Sequence, residues 1–156
     1  MMIGRRVRVY ELDRSGSTPM IPEGEGMDPQ VGHIELSLPP DSRYMRLARL
    51  MASGVASTCG LPLEEVEDFR ITVDELCSTL IEMGDGHPIL LSFELEPDTL
   101  VVHGRTPAGA DDAIDDERLA LSSQILDVVA DGHDLVALNG QVEFSARKIV
   151  RGGGVG

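Results

Sequence analysis

The sequence predicts an α+β fold, a two-layer sandwich of a mixed, mostly antiparallel sheet with helices on one face. Three observations lead there. Apolar and polar residues alternate, at the period of a strand, in five short segments. Three longer segments repeat their apolar residues at spacings of three and four, the period of a helix. Four of the strands fall in adjacent pairs joined by short turns, which makes antiparallel hairpins that helices can cover.

The elements follow in order. Residues 33–38 are the first strand, with Ile34, Leu36 and Leu38 alternating, and Pro39 and Pro40 end it. Asp41 or Ser42 then caps a helix running to about Cys59, since either side chain can accept a hydrogen bond from the first-turn amides. Leu47, Leu50, Met51, Val55 and Ala56 fall on one side of this helix, and Gly60 stands in the usual closing position. Pro62 opens a second helix, with Glu64 and Glu65 in its first turn, where carboxylates favour the helix dipole. Val66, Phe69, Val73, Leu76 and Leu80 form one apolar stripe on it. Thr72, Glu75, Thr79 and Glu82 form a polar stripe beside that one, and Gly84 ends the helix.

Two strands come next, residues 89–95 and 100–103, joined by a turn at Glu96, Pro97 and Asp98. Residues 106–116 are a polar loop with four aspartates. A third helix, residues 117–130, presents Leu121, Ile125, Leu126 and Val129 to the core. Residues 135–138 and 141–150 close the chain as a hairpin around Asn139-Gly140, a pair that tolerates the positive φ of a tight turn.

The 156 residues suit one domain at residues 32–150, preceded by a flexible extension at 1–31 and followed by a flexible tail at 151–156. Within the extension, Val7 and Val9 alternate weakly as in a short strand, and residues 13–30 are rich in Gly, Pro, Ser and Glu. Aromatics are 3% of the chain and Trp is absent, so the core is expected to be aliphatic. The net charge of −14 disfavours contact with a nucleic-acid backbone and favours a basic partner. Cys59 and Cys77 form no CxxC pair, so neither a zinc site nor a disulfide framework is expected. The chain shows no signal peptide and no apolar run of the ~18 residues that a membrane span needs, so a cytoplasmic protein is expected. His33, His87, His103 and His133 lack metal-site spacing, and the aspartates lack the calcium-loop pattern.

That order of elements fits several folds, and a resemblance narrows them. Residues 39–82 resemble the opening of the RsbW-type anti-sigma factors, serine kinases of the GHKL (Bergerat) ATPase superfamily. The matching stretches are Ser53-Gly54-Val55-Ala56-Ser57 and Glu65-Val66-Glu67-Asp68-Phe69-Arg70-Ile71-Thr72-Val73-Asp74-Glu75. A weaker match falls at Ile125-Leu126-Asp127-Val128-Val129-Ala130-Asp131. The likeness runs in order over about residues 33–150 and is strong in the first third.

The resemblance implies a three-part ATP site, and each part is altered here. In the first, a Glu acts as base and an Asn four residues on helps hold Mg²⁺. This chain keeps Glu75 and has Thr79 at the second position, whose hydroxyl is a poorer Mg²⁺ ligand than an amide carbonyl. In the second, an Asp accepts a hydrogen bond from the adenine amino group. Arg105 stands there, and a guanidinium cannot accept one, although Gly104 and Gly109 remain nearby. In the third, two glycines let backbone amides approach the phosphates. Ala120 and Ser122 take those places, after an Asp111, Asp112, Asp115 and Asp116 cluster that repels a triphosphate.

The expectation is therefore an anti-sigma factor or regulatory relative with no cofactor. It would sequester a sigma factor, be released by a STAS-type antagonist, and form a homodimer as relatives do. One alternative is a protein serine kinase that retains weak Mg-ATP binding, with Glu75 as catalytic base. Another is a binding module unconnected with sigma factors. For Glu75 alone, an ordinary solvated glutamate on a helix face is the plain alternative, and Cys77 beside Leu76 is expected in the core.

Overall fold

The computed structural model describes residues 32–109 and 116–151, with the side chain of Leu138 outside the description. The extension, the aspartates Asp111, Asp112 and Asp115, and the end of the tail lie outside the described residues. Five strands form one sheet: β1 (Gly32–Leu38), β2 (Ile89–Leu95), β3 (Thr99–Pro107), β4 (Gly132–Leu138) and β5 (Gln141–Ile149). Their order across the sheet is β1-β2-β3-β5-β4. Helices α1 (Met45–Thr58), α2 (Leu63–Met83) and α3 (Asp116–Val129) complete the second layer. Every ladder is antiparallel. The sheet expected as mixed has no parallel neighbours among the described residues, because β5 folds back between β3 and β4 and separates the two strands that share a direction.

Local chemistry sets the ends of the elements. Asp41 accepts the Arg43 amide at 2.9 Å and starts a single 3-10 turn, Ser42–Tyr44, ahead of α1. Hydrogen bonds from Arg43 hold its carboxyl below the usual carboxylate range. Gly60 closes α1 with a φ of +80°, a conformation that other residues adopt only under strain. Asn139 and Gly140, at φ of 54° and 73°, make the two-residue turn that their sequence predicts.

Helix α2 is the centre of the packing. Val66, Phe69, Val73, Leu76 and Leu80 are all buried, as their spacing predicts, and they lie on β3, β5 and β2. Phe69 meets Phe93 of β2 edge-on, with ring centroids 6.2 Å apart. Opposite Leu76 and Leu80, β3 carries Gly104. A Cβ built there would lie 2.5 Å from Leu76 Cδ2 and 2.6 Å from Leu80 Cδ1. The missing side chain is what lets the helix lie this close to the sheet.

Two helix faces differ from the sequence expectation. On α1 the buried residues are Met45, Ala48, Ala52, Val55 and Ala56, whereas Leu50 is 68% exposed and Leu47 is exposed too. Alanines at every fourth position let α1 approach α2 closely, and the larger leucines turn outward. On α3 the buried residues are Ser122, Leu126 and Val129, and Leu121 is 54% exposed. The three buried positions share one side of the helix, and Leu121 lies about 100° around from Ser122. Strands β3 and β4 also extend beyond their apolar cores, because ladder pairing carries through Arg105, Thr106, His133 and Asp134 whatever their polarity.

These packings have two measurable consequences. Gly104→Ala forces a methyl into the filled space between Leu76 and Leu80. It should lower stability by about 1–3 kcal/mol, read as a lower denaturation midpoint with unchanged slope; an unchanged midpoint would contradict the close approach. For the thiols, burial and then the nearby Asp74 push Cys77 up to about 12. Burial also raises Cys59, which is only partly covered. At about pH 8 a thiol reagent should modify Cys59 slowly and leave Cys77 untouched until denaturant is added. Equal rates at both cysteines in the native protein would be the contrary result, and intact-mass and peptide spectra distinguish the two.

Candidate functional site

The polar stripe of α2 faces α3, and the two helices meet through polar atoms. Thr79 is buried, and its hydroxyl lies 2.9 Å from the Glu75 carbonyl, to which it donates, and 3.4 Å from Ser122 Oγ on α3. Thr72 repeats the pattern, donating to the Asp68 carbonyl at 2.8 Å. A threonine inside a helix satisfies its hydroxyl in this way at the carbonyl one turn back. The carboxylate of Glu75, with its side chain 19% exposed, accepts from Arg118 Nη1 at 3.4 Å. The same guanidinium donates from Nε to Glu82 at 3.2 Å. Its bonds to the two glutamates outweigh the effect of partial burial and raise the Arg118 pKa above its ordinary value.

At the other end of α3, Lys148 of β5 is buried and donates to the Val129 carbonyl at 3.2 Å, with Asp68 of α2 at 3.5 Å. Contacts thus run from Arg118 with Glu75 and Glu82, through Ser122 with Thr79, to Val129 with Lys148 and Asp68. Helix α3 therefore lies antiparallel to α2.

Of the residues singled out by sequence, the fold brings Glu75, Thr79 and Ser122 together and leaves the others apart. Arg105 is exposed on the sheet face away from the helices, because strand alternation turns Gly104 and Thr106 inward and Arg105 outward. Ala120 is exposed on α3, within helix rather than in a phosphate-binding turn. Gly109 lies beside the end of α2, where its amide donates to the Met83 carbonyl at 2.9 Å, and the Ala108 amide donates to the Gly140 carbonyl at 2.8 Å. Both amides are already used.

Each of these groups has a partner within the chain. The hydroxyl at the metal-ligand position is committed to a helix carbonyl. The carboxylate at the base position already has a cation beside it. The amides next to the glycine carry carbonyl partners rather than facing an anion. Among the described residues no group of three or more His, Cys, Asp and Glu side chains is placed to hold a metal. A cavity of about 290 Å³ lies between α3 and the β4–β5 hairpin, lined by Leu119, Ser122, Leu126, His133, Leu135 and Phe144 among others.

A second concavity lies on the outer side of α1 and α2. This open groove, about 540 Å³, is lined by Arg46, Arg49, Leu50, Ser53, Arg70, Ile71 and Asp74. Arg49 approaches Asp74 at 3.6 Å and Arg70 is paired with Glu67. Leu50 and Ile71 are exposed large apolar residues between these arginines. On a chain of net charge −14, the groove brings three arginines together, two of them paired with carboxylates.

No family model matches the chain. Over 56 residues it is 36% identical to the serine-protein kinase RsbW of Bacillus velezensis, covering 36% of this chain and 35% of that protein. Over 71 residues it is 31% identical to RsbW of Halalkalibacterium halodurans, covering 44% of each.

The likeness is to RsbW.

The resemblance drawn from residues 39–82 is borne out, although the chain spans less than half the length of the RsbW proteins it matches. Among solved structures, a chain of the SiaB-SiaC complex from Pseudomonas aeruginosa has a similar fold. Its TM-score is 0.53 at 11% identity, over 78% of this chain and 92% of that one. Two features escaped the sequence analysis. Arg118 lies 36 and 43 positions from its glutamate partners, beyond any local pattern. The groove arginines were hidden by the net charge, which sums over the surface and says nothing of clustering. A better signal was present in α1 itself, where Arg46, Arg49, Leu50 and Ser53 share the face that flanks the alanines.

Proposed function

We propose that this protein is an anti-sigma factor, or a regulatory relative, that sequesters a sigma factor in a partner-switching system without using ATP. A STAS-type antagonist releases it, and it works in the cytoplasm. One observation supports this reading above the rest: the Glu75–Thr79 face of α2, where the RsbW resemblance places a metal and base, is closed by Arg118 and Ser122 of α3. Phosphoryl transfer is mostly positioning and electrostatic stabilisation of phosphates, so it needs an open face and a bound metal. Partner binding needs neither. No helix among the described residues is long and apolar enough to cross a membrane.

The surface we assign to the partner is the α1–α2 groove. Its exposed Leu50 and Ile71 offer apolar anchors, and Arg46, Arg49 and Arg70 offer charge for carboxylates, the last two by exchanging Asp74 and Glu67 for the partner's groups. The seated segment of the sigma factor is then acidic and amphipathic. The acidic remainder of the surface repels wrong partners and steers basic regions of the right one.

Two experiments test these points. In the first, Mg-ATP at about one hundred times a Kd of about 10 μM would raise stability by about 2.7 kcal/mol, a readily measured shift in Tm. The expected result is no shift, no labelled γ-phosphate on a co-purified antagonist, and full sigma binding by Glu75→Ala. A phosphoserine on the antagonist that vanishes with Glu75→Ala would restore the kinase. In the second, Leu50→Asp or Arg46→Glu should weaken capture of the sigma factor by about tenfold or more. Neither should change the circular dichroism spectrum or Tm, because both side chains project into solvent. Unchanged affinity in both variants would remove the groove from the interface.

A further inference from the structure

Helix α3 is held unevenly. Its C-terminal half is anchored by buried Leu126 and Val129 and by the Lys148 ammonium on the Val129 carbonyl. Its N-terminal half buries no apolar residue. Ser122 is the single buried side chain there, and Leu121 points to solvent. Beneath it lies the cavity of about 290 Å³ that Leu119 and Ser122 help to line. A helix half without apolar burial has little hydrophobic reason to stay in place. Polar contacts therefore matter there, among them the Thr79–Ser122 contact and the two ion pairs of Arg118.

We propose that Arg118 is a latch: its guanidinium, bridging Glu75 and Glu82, supplies the positive charge that holds the N-terminal half of α3 on α2. The geometry suits a contact that can open. Charge-assisted N–H···O bonds are commonly about 2.7–2.9 Å, and these are longer, at 3.4 Å to Glu75 and 3.2 Å to Glu82. The two pairs are unequal. Glu82 is more than half exposed, and ion pairs that open to water contribute little. Glu75 and Arg118 are mostly covered, so water screens that pair less, while Glu82 makes the shorter contact. Opening the latch uncovers Glu75, Thr79 and Ser122 together, so any molecule that uses the polar face of α2 must first displace Arg118. The positive charge that the RsbW resemblance would assign to a metal beside Glu75 belongs here to the chain itself.

The latch is tested on the isolated chain, independently of any sigma factor or antagonist, so its failure and failure of the partner-switching proposal are separate results. Amide hydrogen exchange is followed in α3, with β2, β3 and β5 as internal reference. Arg118→Ala should speed exchange of the N-terminal half of α3 by about tenfold and leave the strands unchanged, a local opening. Glu75→Gln and Glu82→Gln should each do part of this, and either one combined with Arg118→Ala should add little to Arg118→Ala alone. Raising salt should speed α3 exchange in the natural protein but not in Arg118→Ala. The reversed pair, Glu75→Arg with Arg118→Glu, should recover part of the protection lost in Arg118→Glu alone. Exchange in α3 that ignores Arg118→Ala would overturn the proposal. So would equal acceleration in α3 and the strands, which would make Arg118 a general contributor to stability rather than a latch.

Discussion

Everything in this molecule is arranged around the close seating of α2 on the sheet. Leu76 and Leu80 descend onto β3 where Gly104 has no side chain, and Phe69 reaches Phe93 at the other end. Dispersion and hydrophobic burial both fall away quickly with distance, so a helix that lies this close fixes its own rotation. Once the apolar stripe points down, the neighbouring stripe of Thr72, Glu75, Thr79 and Glu82 must point sideways. The side opposite α3 packs on the alanines of α1, and the polar side receives α3. The rotation of one helix thus decides where the polar face and the arginine groove lie.

The two flanking helices answer that helix by different physics. Helix α1 packs through Ala48, Ala52 and Ala56, small residues that allow close contact and give a firm, apolar seam. Helix α3 buries Leu126 and Val129 at its C-terminal end, and its N-terminal half packs through hydroxyls and an arginine. Apolar seams lose contacts as soon as they part, whereas polar contacts can exchange protein partners for water at small net cost. The firm side carries the groove proposed for a partner, and the exchangeable side carries Glu75.

A retained glutamate is weak evidence of retained chemistry, and the surroundings of Glu75 show why. A catalytic carboxylate acts through what stands next to it, and here that neighbour is a guanidinium from the same chain. Thr79 hydrogen-bonds inward to its own helix. The glycine at position 109 persists, yet its amide is spent on Met83. Residue identity at each position records ancestry, and only the partners of each group say what it can still do.

The sequence by itself determined the class of fold, the order of its elements and the whole apolar stripe of α2, because these depend on local periodicity. It determined the Asn139-Gly140 turn, since few residue pairs accept two positive φ values. It also determined the RsbW resemblance through the contiguous run from Glu65 to Glu75. Val55 and Ala56 of α1 and Leu126 and Val129 of α3 are buried as their spacing predicts, but the tertiary structure alone decided the rest of those two faces. Side-chain size misled there: Leu50 and Leu121 look like core residues, but Ala52 and Ser122 fit the gaps that α2 leaves. It alone turned Arg105 away from the helices, since one position along a strand reverses the face. It alone set Arg118 against Glu75, because a pairing between two helices 43 positions apart depends on how both are rotated, and no local pattern encodes that rotation.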